Sequence, residues 1–212
     1  MSKSKLIPAV ALVIMMIFLF ACANEAAQPE VPEVPEASTG PLPSEVIITF
    51  DYERQTGSAS NQWAVWIEDG SGHLLKTLYA SAWTADGGYR TRPDSIALWV
   101  AKSGRDSMSQ TEVEAVSGPT PSTGRVSYTW DLTDAGGETV PPGEYKYYIE
   151  GTLRWKNYVL YSGTILLSDG QSSVKDEAVE FFYEESDRHA ALTADSPENR
   201  MIRNVTTHIS NK

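Results

Sequence analysis

Stretches in which apolar residues recur at every second position dominate the chain after residue 44, and they limit the folds it can adopt. Successive side chains of a strand point to opposite faces, so this alternation predicts strands with a buried face. The strand-like stretches are residues 45–54, 62–68, 73–80, 125–131, 144–153, 158–167, 177–183 and 201–209. The turn Asp69-Gly70-Ser71-Gly72 between two of them predicts a β-hairpin. Seven to nine short strands predict an all-β fold, an immunoglobulin-like β-sandwich.

Residues 81–124 interrupt this pattern and are rich in Gly, Ser and Thr. They hold one helix candidate, Asp94–Lys102, in which Ile96, Trp99 and Val100 share one helical face. A loop of this length in a compact domain is often functional or partly structured. The sequence therefore predicts a long, mostly irregular excursion from the sandwich.

The N-terminus has the pattern of an export signal. Two lysines precede an apolar run from Ala9 to Phe20 that is too short to span a membrane. The following Leu19-Phe20-Ala21-Cys22 resembles a bacterial lipobox, which implies that residues 1–21 are a lipoprotein signal peptide and that Cys22 carries the lipid. Cys22 is the only cysteine, so it has no disulfide partner. The alternative is an ordinary signal peptide with an incidental cysteine.

The sequence of residues 22–43 is typical of an extended tether. They repeat the units PEV, PEV and PEA, and a three-residue repeat with proline suits a polyproline II helix. The repeated glutamates repel one another, so no packed core is expected. The sequence thus predicts three parts: a signal peptide (1–21), an acidic tether (22–43) and one β-sandwich domain (44–212).

The strong negative charge excludes one class of partner. The full chain has a formal net charge of −11, and removal of residues 1–21, which contain two lysines and no acid, makes it −13. Such a surface repels nucleic acid. Membrane attachment would rest on the lipid alone, because no second hydrophobic span occurs.

Three stretches together resemble one protein family. They are QWAVWIEDGSGHLLKTLYAS (62–81), GYRTRPDSIALWVAK (88–102) and residues 115–151, which contain WDLTDAGGETVPPGEY. They are similar to the domain-of-unknown-function 2271 family of predicted periplasmic proteins. The third stretch also resembles the immunoglobulin-like module of the flagellar hook-capping protein. The resemblance implies an exported β-sandwich without an established activity, and it supplies no catalytic residues.

Catalytic chemistry is not expected. His73, His189 and His208 lie in a hairpin, a polar stretch and a terminal strand, without a nucleophile motif or zinc-ligand spacing. Glu184 and Glu185 are typical of a solvated face rather than of a general acid/base pair. We therefore expect that the protein is not an enzyme and that it binds no metal and no cofactor.

Asp131, Asp134 and Glu138 are candidate calcium ligands, because oxygen ligands close in sequence suit this ion. The spacing does not match a calcium loop. A turn in which Asp131 accepts backbone N–H bonds is favoured.

Aromatic residues are the candidates for a binding surface. Trp66, Tyr148, Trp155 and Tyr158 lie on strand faces or turns that would be exposed in a half-buried sheet. Flat exposed rings suit sugars or a protein partner. The alternative is that both sheet faces are covered, one of them by the excursion.

Residues Glu114–Thr120 (EAVSGPT) resemble the D-x-x-[ST]-G-A-[ST] motif on which a transferase esterifies FMN, with Thr120 as the acceptor hydroxyl. The alternative is a turn that leads into the strand at Arg125. If Thr120 were modified, the protein would belong to an extracytoplasmic redox chain.

The sequence thus predicts an extracytoplasmic lipoprotein, anchored to the cell membrane or outer membrane through Cys22. Its domain would be a non-catalytic binding or scaffolding module for an envelope protein or glycan. Two alternatives are an accessory component of a flavin-dependent electron-transfer system and a carbohydrate-binding module.

Overall fold

The computed structural model describes residues 43–56, 60–153, 157–183 and 200–210, and only the backbone for 176–178 and 180–183. All of them lie in one compact unit, Ala37–Lys212. The predicted signal peptide, Cys22 and nearly all of the predicted tether lie outside the described residues.

Nine strands and three short α-helices make up the described part of the chain. In chain order they are β1 (Glu45–Tyr52), β2 (Gln62–Asp69), β3 (Leu74–Ser81), α1 (Ala82–Ala85), α2 (Ala97–Ser103), α3 (Gln110–Val116), β4 (Ser117–Gly118), β5 (Gly124–Trp130), β6 (Gly143–Thr152), β7 (Asn157–Leu167), β8 (Ser173–Tyr183) and β9 (Ile202–Ser210).

The strands form two sheets. One has three antiparallel strands in the order β5-β1-β9, and the other has six in the order β4-β3-β2-β6-β7-β8. All pairs in the larger sheet are antiparallel except the short pair of β3 with β4. Alternating residues of both sheets form one apolar core, with Ile48 and Phe50 from β1 and Trp63, Val65 and Ile149 from the larger sheet. The prediction of an all-β sandwich is confirmed.

The predicted strands lie close to the observed ones, because alternation is a local property. The predicted hairpin is the β2–β3 pair. The largest difference is at β8, which begins at Ser173, four residues before the predicted start.

Gly163 of β7 leaves space for an aromatic ring in the core. It pairs with Tyr147 of β6, and a Cβ at residue 163 would overlap the Tyr147 ring.

Strand β2 is buried on both faces, which alternation alone does not predict. Trp63, Val65 and Ile67 enter the sandwich core. Ala64 and Trp66 instead belong to a second apolar cluster with Ile96, Trp99 and Val113 of the excursion. The excursion therefore covers the outer face of the six-stranded sheet around β2. In this part of the sheet both faces are covered, which is the alternative to an exposed aromatic surface.

The excursion is more helical than predicted. It contains α1, α2 and α3 and two single-turn 3-10 helices, where the sequence indicated one helix. The predicted helix starts at Ala97 rather than at Asp94, because Ile96 adopts a left-handed conformation with φ of 42°. Its N–H donates to Thr152 Oγ1 instead of to a helical carbonyl.

Candidate functional site

The excursion is held on the sheet by buried hydrogen bonds as well as by apolar packing. Ile96 N–H donates to Thr152 Oγ1 of β6 at 3.1 Å, and the Trp99 indole donates to Thr77 Oγ1 of β3 at 3.1 Å. All four residues are buried. Because these bonds satisfy groups that would otherwise be buried unpaired, they fix where α2 lies.

Glu150 connects the sheet to the start of α2. Its side chain is fully buried; Oε1 accepts from Leu98 N–H at 3.1 Å and Oε2 from Trp99 N–H at 2.9 Å. Burial raises the pKa of Glu150 from 4.5 to about 7, while the two N–H donors oppose that rise. The outer face of the sheet thus contains an acid that titrates near neutral pH.

A second buried acid lies on the same face. Glu68 accepts from the Trp66 indole at 2.9 Å and pairs with Lys102 of α2 at 3.1 Å. Trp66 is 1% exposed and stacks on Tyr148, with ring centroids 5.2 Å apart. Trp66, a candidate for an exposed binding surface, is covered by the excursion, as the alternative expectation had it. Tyr148 and Tyr158 are half-buried, and Trp155 lies outside the described residues.

A groove of about 450 Å³ lies between β3 and the helices α2 and α3. Its lining includes the apolar residues Leu74, Met108, Ala115, Val116 and Ala135.

The polar groups that line this groove are already engaged within the domain. Lys76 pairs with Asp131 at 2.8 Å, and Glu112 accepts from the Ser109 N–H in a capping box at the start of α3. The Thr77 hydroxyl accepts from the Trp99 indole. The groove therefore offers mainly apolar surface to an occupant.

Thr120 lies near the start of β2. The residue is half-buried, and its hydroxyl donates to the Asn61 carbonyl at a long 3.5 Å. The preceding Gly118 is in β4, and its extended backbone is the conformation that a following proline favours. The Tyr79 hydroxyl contacts the carbonyls of Gly118 and Pro119 at 3.1 and 3.2 Å, and a Cβ at Gly118 would crowd the Tyr79 ring. The motif backbone is thus fixed, and Thr120 follows it directly.

Arg92 lies at the same end of the sheet. It is 6% exposed, and its Nη1 donates to Ser60 Oγ, while Nε and Nη2 have no hydrogen-bond partner. Burial lowers the pKa of the guanidinium, and the nearby Asp94 opposes this. A buried cation with two unused donors is the least satisfied charged group among the described residues.

The candidate calcium residues form a closed turn. Asp131 accepts from Lys76 and from Thr133 N–H at 3.3 Å, and Asp134 accepts from the N–H groups of Gly136 and Glu138. The predicted role of Asp131 as an acceptor of backbone N–H bonds is confirmed. No group of three potential metal ligands occurs among the residues that the structure describes.

His73 contacts Ser71 Oγ at 2.7 Å in the exposed β2–β3 turn, and Ser71 Oγ also lies 2.6 Å from Asp69. This is not the arrangement of a catalytic triad, in which the acid binds the second nitrogen of the histidine. The Asp69 carboxylate stabilises the turn. Hydrogen bonds from Ser71 and from the His73 N–H lower its pKa. His208 lies on β9, whereas His189, Glu184 and Glu185 lie outside the described residues.

Sequence reasoning missed Glu150 and Arg92. Glu150 occupies an outward position in an alternating strand, where an acid is ordinarily solvated. The one available signal for burial of Glu150 was that the long excursion had to pack on some part of a sheet surface. Arg92 precedes a proline in the excursion and carried no motif.

Two comparisons with known proteins find no relative. No curated protein and no solved structure matches the chain. None of the helices in the described part of the chain is long and apolar enough to cross a membrane.

A family model matches residues 45–182, which is more than half of the chain. Its description is predicted periplasmic protein (DUF2271), which indicates a location outside the cytoplasm. The match includes β1, the whole excursion and most of β8. The chain therefore belongs to the DUF2271 family of predicted periplasmic proteins.

Proposed function

We propose that this protein is a lipoprotein of the cell envelope, anchored through Cys22, whose β-sandwich binds a partner without catalysing a reaction. The lipobox-like residues before Cys22 and the acidic, proline-rich tether support anchoring and spacing. The family description, predicted periplasmic protein, supports a location outside the cytoplasm, which is where a lipid-anchored domain of this kind would lie.

The groove between β3 and α3 carries the binding part of the proposal. Its lining is mainly apolar, and its polar neighbours are engaged in bonds within the domain. Covering such a surface with apolar groups of a partner removes it from water and is therefore favourable. An envelope protein that inserts an apolar segment fits this chemistry.

Photo-crosslinking in intact cells tests this binding surface. A photoreactive residue in place of Ala115, in the groove, should give a defined adduct with one envelope protein. The matched position is Arg125, which is exposed on the opposite sheet and should give none. Val116→Trp, which fills the groove, should abolish the adduct. Equal adducts at residues 115 and 125, or none at either, would contradict the proposal.

The surroundings of Thr120 favour a second candidate, an accessory role in flavin-dependent electron transfer. The Tyr79 contacts fix the backbone before Thr120, and the hydroxyl itself makes only a 3.5 Å bond. A transferase would take the FMN group from a flavin adenine dinucleotide. Thr120 Oγ1 would bond to the flavin-side phosphorus while the phosphoanhydride P–O bond breaks, AMP would leave with the electrons of that bond, and the hydroxyl proton would pass to solvent.

Intact-mass measurement tests this second candidate. The full-length protein, co-expressed with a flavin transferase, should gain the mass of an FMN phosphodiester. Thr120→Val should remove that gain, whereas Ser122→Ala, a nearby hydroxyl, should not. Absence of the gain in the wild-type protein rejects the flavin role.

A further inference from the structure

The part of the excursion that joins β3 to β4, residues 82–116, begins and ends at one place on the sheet. Ala80 and Ser81 at the end of β3 pair with Ser117 and Gly118 of β4. Since paired strands lie about 4.8 Å apart, the two ends of the segment are neighbours. The segment can therefore leave the sheet without separating any pair of strands.

This segment has apolar contacts of its own and does not contribute to the sandwich core. Its buried apolar side chains belong to the second apolar cluster, and they are Ala85, Ile96, Trp99 and Val113. Among the described residues, none from 82–116 is a member of the sandwich core. The Tyr89 hydroxyl donates to Asp106 within the segment at 2.6 Å. Movement of the segment away from the sheet would thus leave the sandwich core packed.

Glu150 lies between the sheet and this segment. Its side chain is fully buried, and both of its oxygens accept from N–H groups of α2. Its partners in the strands on either side are the apolar residues Ala64 of β2 and Leu160 of β7. Burial of an ionised carboxylate without a cation is costly. Water would reach the carboxylate if the segment left the sheet.

The charged groups around Glu150 do not compensate its charge. On β6 the same face contains Lys146, four residues and about 13 Å away along the strand. The charged groups of the segment that face the sheet or are buried have other partners, which are Glu68 for Lys102, Ser60 for Arg92 (with Asp94 nearby) and the Ala85 carbonyl for Arg105. Burial and the two N–H donors, rather than any charged side chain in the described part of the chain, set the pKa of Glu150.

We propose that residues 82–116 are a lid that opens from the six-stranded sheet as one unit, and that loss of the Glu150 proton favours the open state. Opening uncovers Ala64 and Trp66 on the outer face of β2. The pKa of Glu150 is about 7 in the closed state, against the ordinary 4.5 of a hydrated carboxyl. Because the closed state holds the proton more tightly, the opening equilibrium constant rises with pH from 4.5 and levels off above 7.

The lid also forms one side of the groove. Met108, Ala115 and Val116 belong to the lid, whereas Leu74 belongs to β3. Opening therefore removes the groove, whatever occupies it. The lid itself does not depend on the proposed partner, because it rests only on contacts within the domain.

Two adjacent residues of β2 test the lid, one on each face of the sheet. Ala64 lies under the lid and Val65 lies in the sandwich core, and both are fully buried. In the full-length protein in detergent, a thiol reagent should modify Ala64→Cys faster than Val65→Cys, because the lid opens more often than the whole domain unfolds. Mass spectrometry of the peptide that contains these residues measures both rates. Equal rates would overturn the proposal.

The pH dependence of the same reaction tests the role of Glu150. The rate for Ala64→Cys is divided by that of Arg125→Cys, an exposed site, to correct for ionisation of the thiol. The corrected rate should rise about 30-fold between pH 5.5 and 8, as the two pKa values of Glu150 require. A corrected rate that does not change with pH would contradict the proposed control by Glu150.

Two variants in the Ala64→Cys protein assign this dependence. Glu150→Gln cannot lose a proton, so its corrected rate should be constant with pH. Glu144→Gln is the matched control, because Glu144 is an exposed acid on the same strand, and it should keep the full rise. A rise that persists in Glu150→Gln, or that disappears in Glu144→Gln, refutes the assignment.

Hydrogen exchange of the unmodified protein tests the lid without any substitution. The slowest amides of α2 and α3 should share one free energy of opening, smaller than that of the amides of β1 in the sandwich. Amides of α2 and α3 that open with different free energies, or only together with those of β1, would exclude a lid that moves as one unit.

Discussion

Glu150 shows how one residue can make the stability of this domain depend on pH. Its pKa is about 7 in the folded protein against an ordinary 4.5, so the folded state holds this proton more tightly than the unfolded chain does. The contribution of Glu150 to stability is therefore greatest below pH 4.5 and falls as the pH rises towards 7. The change amounts to about 3 kcal/mol across that range.

Replacing Glu150 by glutamine mimics the protonated carboxyl and removes its titration. Relative to the wild type, Glu150→Gln should gain free energy of unfolding as the pH rises from 5 to 8. Urea denaturation of both proteins at several pH values measures this difference. A difference that is constant across the range would contradict the buried, titrating state.

Gly163 tests the packing of the larger sheet at a single position. A methyl group there would overlap the Tyr147 ring in the sandwich core. Gly163→Ala should destabilise the domain by about 1–3 kcal/mol, the usual cost of overpacking. Gly143→Ala is the matched control, because its Cβ would lie an ordinary 3.8 Å from Tyr145. Equal stability of the two variants in urea denaturation would refute the close contact.

Among the elements, α3 forms one wall of the groove and depends on its N-terminal cap. Ser109 accepts from Glu112 N–H while Glu112 accepts from Ser109 N–H. Ser109→Ala should cost about 1 kcal/mol of stability. Thr111→Ala, at an exposed site on the same helix, should cost little. Equal losses in thermal unfolding would show that the cap does not hold α3.

The elements also show where sequence reasoning succeeds. Alternation specified the strands and the β2–β3 hairpin, because both depend on neighbouring residues. It did not specify that β2 is buried on both faces, since the residues that cover Trp66 come from the excursion. Glu150 could not be assigned for the same reason: Trp99, which donates to it, is 51 residues away in the chain.

At the scale of the whole molecule, the parts of the chain suit a domain held away from a membrane. An acidic, proline-rich stretch separates Cys22 from a sandwich whose larger sheet is covered on both faces around β2. The groove is a local site on that domain, and its proposed role in the envelope rests on the proposed anchoring through Cys22.

The mass of the mature N-terminus tests this account most directly. In protein extracted from membranes, the first residue should be Cys22 with a thioether-linked diacylglycerol, and Cys22→Ser should remain unprocessed and without lipid. A mature chain that begins elsewhere, or at an unmodified Cys22, would contradict the account.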